Sequence, residues 1–331
     1  MQPVKPLEFK FRFVQNRQAQ GLGTSKGIAS DASLNLNGEE LTYRNILDSS
    51  IRDNRLIIVL APNAQLGPKT IKRVQDLRYL VLEVYKNQAQ ELKTYVDRFS
   101  STIFAENHRR QLASEGKENQ FRAVTCPHCN ATVDLSDYQT SSYIYCRFCG
   151  SILSNGLQVV AKGDIYGTCD ECHMYDRVRG YTAFNFYFLL VVYGYSVKRH
   201  FVCDACALKL AQRALLVNLL FILGVPSAIY MWVKSQSGRE PYFQDLAKAN
   251  KLALKGKYQE ADEIYDRLFA LYPEHPGLLM NKGLGHLHGK EGSGGMGYLG
   301  RSLRACANYI PSMQLVHQIQ QASQANGVQK K

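Results

Sequence analysis

The sequence lacks the short motifs by which most active sites are recognised. It contains no nucleophile elbow, no phosphate-binding loop, no HExxH helix and no paired-carboxylate arrangement. It also contains no basic run, no arginine-rich arm and no RNA-binding aromatic signature, so its net charge of +12 is spread along the chain. We therefore expect a protein that is not an enzyme, and nucleic acid is not favoured as its partner. Its basic surface favours anionic lipid.

An apolar leader is also missing, because the first residues, MQPVKPLEFK, lack the core of a secretory signal. At least the N-terminal half is therefore expected in a reducing cytoplasm, where disulfides are rare. The chain has 331 residues, of which 45% are apolar and 21% charged. This length and composition predict a modular globular protein of about two to four domains.

Cysteine is the residue that the sequence does contain in a clear pattern. Only Cys306 stands alone, and we expect it to be a buried, inert thiol. The other cysteines form four Cys-x-x-Cys pairs: Cys126 and Cys129, Cys146 and Cys149, Cys169 and Cys172, and Cys203 and Cys206.

The first two pairs have the spacing C-x2-C-x16-C-x2-C, which is typical of a zinc ribbon. Pro127 and Gly150 suit the two turns. Thr132–Leu135 and Ser142–Tyr145 are predicted as the strands of the hairpin between them. The CPHC pair alone also matches a dithiol redox motif, but no βαβ context surrounds it. We predict that these four cysteines bind one structural Zn²⁺.

The second two pairs, CDEC and CDAC, are separated by thirty residues. With His173 after it, CDEC alone would also fit a c-type haem site or a dithiol pair. Haem would leave Cys203 and Cys206 unexplained and would need an oxidising compartment. Zinc explains all four thiols, and four thiolates close the coordination shell, so a second structural Zn²⁺ is predicted. His128 and His173 are expected beside the ions rather than on them, and Asp204 in a solvated acidic turn.

An uncharged stretch, Gly180–Val197, lies between the second two pairs. A helix of this length that crossed a membrane would hold the two pairs on opposite sides, where they could not share an ion. Aromatic and β-branched residues dominate the stretch, so we predict a β-hairpin that turns near Gly194.

A second uncharged stretch, Ala214–Val233, is long enough to span roughly 30 Å of hydrocarbon as a helix. Tyr230 and Trp232 suit a membrane interface. Residues 214–234 are therefore predicted as a transmembrane segment. A re-entrant hairpin and a buried pair of short helices broken at residues 224–227 are the alternatives.

Residues Asp164–Lys234 contain, in this order, CDEC, an aromatic hairpin, CDAC, a short basic helix and an apolar segment. This arrangement resembles that of zinc-binding, membrane-anchored bacterial proteins of unassigned function. The resemblance implies a membrane-associated protein with lipid as a partner. With the reducing environment expected above, the zinc modules would lie in the cytoplasm.

Residues 243–274 resemble a tetratricopeptide repeat. Ala249 and Ala261 would let two helices approach closely, and Tyr265 would fill the gap between them. A degenerate second unit would follow, with an inserted GKEGSGG loop and Ser312–Ala325 as its capping helix. The resemblance implies a docking surface for a protein or peptide. A packing or oligomerisation element is the alternative.

The first 120 residues contain alternating apolar stretches, such as Phe9–Phe13, and a strong turn signal at Asn37 and Gly38. A long helix is predicted from Tyr85 to about Leu112. Strands closed by a single C-terminal helix resemble a pleckstrin-homology-like barrel. Basic side chains here would either contact lipid headgroups or form a solvated loop: Lys69, Lys72 and Arg73.

We thus predict a multidomain α+β protein with a β-rich N-terminal domain closed by a long helix, two zinc-bound β modules, an apolar helical segment and C-terminal helical repeats. The predicted segments are residues 1–120, 121–160, 161–213, 214–234 and 240–325. The hypothesis for function is a non-enzymatic, membrane-associated adaptor or scaffold with two Zn²⁺ ions. A thiol redox or metal-handling protein is the alternative, and nucleic-acid binding through the ribbon is a weaker one.

Overall fold

The computed structural model describes residues 5–328 apart from short gaps at residues 17, 22, 53, 76–77, 86–87, 155–156, 159–165, 190–191, 219–224 and 237–242. For residues 157–158, 183–189, 192–199, 217–218 and 325–328 it describes the backbone only. The fold is mixed α and β, as predicted, with a β-rich N-terminal region and a helical C-terminal region. The chain forms two compact units, Met1–Asp137 and Tyr138–Lys331. The finer division into five segments stays a prediction.

The first unit is built on an antiparallel sheet and one long helix. Its main elements are β1 (Leu7–Gln15), β2 (Gln18–Ala19), β3 (Ser25–Ala29), β4 (Ser33–Leu36), β5 (Glu39–Thr42), β6 (Ile46–Arg52), β7 (Arg55–Leu60), β8 (Tyr79–Val84), α1 (Pro68–Ile71) and α2 (Ala89–Ser114). The strand order is β5-β4-β3-β1-β8-β7-β6, with β2 paired to β1.

Period-two alternation produces the strands of this sheet, as predicted. Phe9 and Phe11 point into the core, while Lys10 between them is exposed. Asn37 and Gly38 turn the chain from β4 into β5 with φ of 57° and 88°, as a two-residue hairpin turn requires. The apolar face of the sheet is thereby directed towards α2.

Helix α2 covers this face through Leu92, Tyr95 and Val96, which share the buried cluster of the sheet. It begins at Ala89 rather than at the predicted Tyr85, because β8 continues to Val84. The buried Asp97 on α2 is paired, which offsets its desolvation. It accepts a hydrogen bond from Ser49 Oγ at 2.6 Å and forms an ion pair with Lys93, one turn earlier.

A short strand pair, β9 (Ala123–Thr125) and β10 (Thr132–Asp134), lies against the later turns of α2. The backbone N–H of Thr132 donates to Ser101 Oγ at 2.8 Å. His108 Nδ1 lies 2.6 Å from Asp134 Oδ2, and this hydrogen bond raises the pKa of His108. These contacts fix the strand pair that carries the first Cys-x-x-Cys turn.

The second unit contains two small sheets, β11-β12-β13 and β14-β15-β16, and a series of helices. Its elements are β11 (Tyr143–Tyr145), β12 (Ile152–Ser154), β13 (Leu157–Gln158), β14 (Tyr166–Thr168), β15 (Tyr175–Leu189), β16 (Val192–Cys203), α3 (Asp204–Asn218), α4 (Val225–Gln236), α5 (Leu246–Ala253), α6 (Tyr258–Leu271), α7 (Pro276–His288), α8 (Gly292–Ala305) and α9 (Ile310–Val328).

Helices α5 to α9 pack on their sequence neighbours, and the residues that suggested helical repeats lie in their core. Ala249, Ala261 and Tyr265 are fully buried in one cluster with residues of α7 and α8. The small side chains of Ala249 and Ala261 let α5 and α6 approach closely, while the ring of Tyr265 fills the space between them. We call α5 to α9 the helical platform.

The predicted GKEGSGG loop is wrong in extent, because α8 already begins at Gly292 and only residues 289–291 connect it to α7. The glycines serve close packing of these two helices instead. A Cβ atom on Gly283 would lie 2.9 Å from the carbonyl oxygen of Gly295. The two backbones therefore touch where any larger residue would separate them.

The predicted hairpin between the second two cysteine pairs is present as β15 and β16. The strands pair from Val178 opposite Cys203 as far as Leu189 opposite Val192. Gly194 therefore lies within β16, opposite Tyr187, and not at the turn as predicted. Residues 190–191, between the strands, lie outside the described residues.

The predicted transmembrane segment 214–234 is divided between α3 and α4, with residues 219–224 outside the described residues. The two helices pack against each other, and Ala228 and Met231 of α4 share a buried cluster with Ala207 and Ala211 of α3. This packing is incompatible with one continuous helix. Among the described helices, none combines the length and the apolar content that crossing a bilayer requires.

Candidate metal centres

Three of the four cysteine pairs lie in turns of the same backbone form. In each turn, the residue after the second cysteine has a left-handed conformation and donates its N–H to the carbonyl of the first cysteine. Asparagine and glycine tolerate this conformation best, which explains two of the three turns. The bonds join Asn130 to Cys126 at 2.8 Å, Gly150 to Cys146 at 2.8 Å and His173 to Cys169 at 3.0 Å, with φ of 58°, 78° and 58° at the donors.

The first cluster consists of Cys126, Cys129, Cys146 and Cys149, whose sulfur atoms all lie within 4.8 Å of one another. The strands beside it pair differently from the prediction. β10 pairs with β9, and β11 pairs with β12, so each turn has its own hairpin rather than sharing one. Only residues 126–131 separate β9 from β10, and only residues 146–151 separate β11 from β12. Such short connections let each strand pair across its own turn, and this local pairing prevails over pairing between β10 and β11.

The second cluster consists of Cys169, Cys172, Cys203 and Cys206, again within 4.8 Å of one another. Its last two members lie where a strand passes into a helix: Cys203 ends β16 and Cys206 is in the first turn of α3. The hairpin of β15 and β16 returns the chain to the first turn, as expected. The structure thus brings the eight predicted ligands together as two groups of four.

Both groups suit Zn²⁺ by their donor chemistry. No disulfide joins any of the described cysteines. Cys172 Sγ and Cys203 Sγ are 3.9 Å apart, whereas a disulfide requires about 2.05 Å. Zinc–sulfur bonds of about 2.3 Å in a tetrahedron place the sulfurs about 3.8 Å apart. Each group could therefore hold one metal ion, with zinc favoured. His128 and His173 belong to neither group.

Hydrogen bonds within the second cluster already favour a thiolate. The thiol of Cys172, followed by those of Cys203 and Cys206, lowers the pKa of Cys169 far below its usual range. The same bonds to Cys169 raise the pKa values of the other three. The backbone N–H of Cys203 also points at Cys169 Sγ, at 3.4 Å. Thiolate is the form that binds zinc, so these hydrogen bonds favour the ligand state at Cys169 and oppose it at the other three cysteines.

Asp204, expected in a solvated acidic turn, is instead the centre of a polar network beside the second cluster. Arg177 and Arg179 pair with its carboxylate at 2.8 and 2.6 Å, and Tyr181 donates to it at 2.7 Å. Asp204 is the first residue of α3, where a negative charge also complements the helix dipole. The network fixes the start of the helix that carries Cys206.

The helical platform holds both cysteine-rich sheets by asparagine side chains. Asn281 of α7 accepts from the N–H of Tyr175 at 2.7 Å and donates to its carbonyl at 2.6 Å. Asn308, just before α9, accepts from the N–H of Tyr145 at 2.9 Å and donates to its carbonyl at 2.8 Å. Tyr145 precedes a predicted zinc ligand, and Tyr175 starts β15. We call these two contacts the asparagine clamps.

A third asparagine extends the clamp at β15. Asn250 of α5 donates to the carbonyl of Tyr175 at 3.1 Å and to the carboxylate of Asp176 at 2.9 Å. Tyr265 in turn donates to Asn250 Oδ1 at 2.8 Å. Asp176 is buried, and this burial raises its pKa to about 6. Sequence reasoning missed these residues; the only available signal was asparagine inside predicted helices, where it is unfavourable without a partner.

Aromatic rings complete the contact between the platform and the sheets. His275, at the start of α7, is fully buried among Tyr143, Tyr175 and Phe243, with ring centroids 5.1 to 5.7 Å away. Its Nδ1 accepts the N–H of Leu278 and caps the helix. Burial lowers the pKa of His275 to about 3, so it is neutral at physiological pH. Cys306 is buried in the same cluster, and burial raises its pKa to about 12, as expected of an inert thiol.

The first unit contains a separate basic cavity of about 440 Å³. Arg12 and Arg73 are partly buried in its wall, where Arg12 pairs with Glu83 at 2.6 Å and Arg73 lies over the ring of Phe13. Lys69 and Lys72 are exposed at its rim. Its lining residues include no carboxylate: Arg12, Phe13, Gln20, Gly23, Ser25, Asn37, Lys69, Lys72 and Arg73.

Comparisons of the chain with protein-family models, curated proteins and solved structures gave no significant match.

Proposed function

We propose that the protein is a non-enzymatic, membrane-associated scaffold in which two structural zinc ions stabilise small β modules on a helical platform. The observation that carries this proposal is the donor set. Each cluster offers four thiols, and four thiolates around zinc leave no position for a substrate or an activated water. The asparagine clamps then connect the backbones beside the clusters to the platform. Zinc in such a site stabilises a fold and does not catalyse a reaction.

A protein or peptide partner at the C-terminal helices is part of the proposal, but its position is restricted. Asn250 and Asn281 already bind Tyr175 and Asp176 of the same chain. A Cβ atom on Gly277 would lie 2.5 Å from the Tyr175 ring, so this face is tightly filled. A partner must therefore use another face of the platform or displace β15.

Lipid is proposed as the second partner. The basic cavity supports this part, because Lys69, Lys72 and Arg73 line it with no carboxylate in the lining and so favour an anionic group such as a lipid phosphate, while Arg12 is already paired with Glu83. The strand order of the first unit and its closing helix support a pleckstrin-homology-like domain. The zinc modules would then lie on the cytoplasmic side of the membrane.

Metal analysis of the native full-length chain, combined with thiol titration, tests the scaffold proposal. We expect two zinc ions per chain and eight cysteines that react with a thiol reagent only after the metal is chelated. Chelation should also reduce the resistance of the second unit to proteolysis. Reversible oxidation of one pair in the native protein, without loss of structure, would instead support the redox alternative.

A further inference from the structure

The outer surface of α4 is unusually apolar for a helix that faces solvent. Ile229, Tyr230, Trp232 and Val233 are 49, 66, 47 and 49% exposed. The helix contains one charged residue, Lys234. Large apolar side chains that cluster on one exposed helix face mark an interaction surface more often than chance.

The inner surface of α4 is already occupied, so the helix cannot rotate to bury this face. Ala228 and Met231 are buried with the alanines of α3. Three hydrogen bonds also fasten α4 to β15 along its length. They join Ser227 Oγ to the Thr182 carbonyl at 3.2 Å, Lys234 Nζ to the Gly180 carbonyl at 2.7 Å and Arg179 to the Lys234 carbonyl at 2.6 Å.

The module that carries α4 has a polar end and an apolar end. At the polar end lie the second cysteine cluster and the clamp that holds β15 on the platform. From Val178 the hairpin extends to Leu189, roughly 37 Å at about 3.4 Å per residue. Its strands carry no charge between Gly180 and Val197. Leu216, near the far end of α3, is 73% exposed.

We propose that the outer face of α4, together with Leu216, lies in the interface of a bilayer that contains anionic lipid. This inference rests on the proposed membrane association and assigns it to a surface. α4 has twelve residues and is about 18 Å long, too short to cross about 30 Å of hydrocarbon, so it lies along the membrane. The segment would thus be a monotopic anchor rather than a membrane span.

The chemistry of the face favours lipid over a second copy of the chain. Tyr230 and Trp232 combine an apolar ring with a polar group, as residues at headgroup depth do. Lys209 and Arg213 are exposed on the neighbouring helix α3 and would meet anionic headgroups. A second copy would bring the same positive charge, from a chain with a net charge of +12, and would be repelled.

Trp232 is the only tryptophan of the sequence, so tryptophan fluorescence reports on the outer face of α4 alone. The full-length zinc-loaded protein is mixed with vesicles of phosphatidylcholine alone or with added phosphatidylserine. With phosphatidylserine we expect cosedimentation, a blue shift of the tryptophan emission, quenching by brominated lipid and protection from acrylamide. Phosphatidylcholine alone should give much weaker changes.

A double variant, Ile229→Ser with Val233→Ser, should reduce vesicle affinity by at least about tenfold, since it removes apolar area that lipid would bury. Leu271→Ser is the matched control, because Leu271 is 71% exposed on α6, outside the proposed surface. It should bind vesicles as the parent does. Zinc content and circular dichroism of each variant check that the fold is kept.

The failures of the two proposals are distinguishable. If the protein cosediments while Trp232 stays open to acrylamide, membrane association stands and the inference for α4 is overturned. Loss of binding in a Lys72→Glu, Arg73→Glu variant would then locate the association at the basic cavity. If no vesicle binds at all, both fail. Lipid-independent shielding of Trp232 that grows with protein concentration would assign the face to a second copy and also overturn the inference.

Discussion

The clamp at Tyr175 makes the strongest prediction about how the second zinc module is held. Replacing Asn281 by leucine keeps the side-chain size but removes both hydrogen bonds to the Tyr175 backbone, at 2.6 and 2.7 Å, and one to Asn250 at 2.8 Å. The Tyr175 carbonyl keeps its bond from Asn250, so the cost falls mainly on the N–H group. Leaving such a group buried costs about 1–3 kcal/mol.

We therefore expect Asn281→Leu to lower the free energy of unfolding by about 2–3 kcal/mol, which corresponds to a decrease in Tm of roughly 5–10 °C. The affinity of the second cluster for zinc should fall by roughly tenfold, because groups that orient the backbone near metal ligands affect binding on this scale. Differential scanning calorimetry measures the first effect, and competition with a zinc-binding dye measures the second.

Gln259→Leu provides the matched control, because it makes the same kind of amide-to-leucine change at an exposed position of α6. It should leave both quantities close to those of the parent. If the two variants melted at the same temperature and released zinc at the same dye concentration, the clamp would not contribute to the module, and the reasoning from the hydrogen bonds would be refuted.

Further predictions concern four single positions. Cys206→Ser should reduce bound zinc from two ions to about one per chain, as measured by metal analysis; unchanged content would exclude this cysteine as a ligand. Gly283→Ala should destabilise the platform by about 1–3 kcal/mol in urea unfolding, since its Cβ would lie 2.9 Å from the Gly295 carbonyl. Gly297→Ala, in open space on the same helix pair, should stabilise it by about 1 kcal/mol. The pKa of His275 is lowered from 6.5 to about 3, so the unfolded chain binds the extra proton first and stability falls as the pH drops through 6.5. His275→Asn keeps a capping side chain that does not titrate. Relative to this variant, the parent should therefore lose about 1.4 kcal/mol of unfolding free energy between pH 7.5 and pH 5.5. A constant difference would show that His275 is not desolvated as described.

The sequence alone determined the features that depend on local chemistry. Cysteine spacing predicted both groups of four, because a Cys-x-x-Cys turn presents two thiols whatever surrounds it. Alternating side chains predicted strands such as β1, and Asn37 with Gly38 predicted the turn after β4. Small residues at Ala249 and Ala261 predicted closely packed helices. Apart from the grouping of the cysteine pairs, each of these signals lies close in the sequence to the feature that it predicts.

The tertiary structure decided which of these elements meet. β10 and β11 were predicted to pair, but each found its partner across its own turn, which local signals do not distinguish. The apolar stretch 214–234 was consistent with one long helix. In the structure its second part forms a separate helix, α4, which packs against α3 and β15. The asparagine clamps depend on pairs more than 100 residues apart in the chain, such as Tyr175 and Asn281. A hydrogen bond of this kind is set by the position of a distant backbone, which no short pattern of residues specifies.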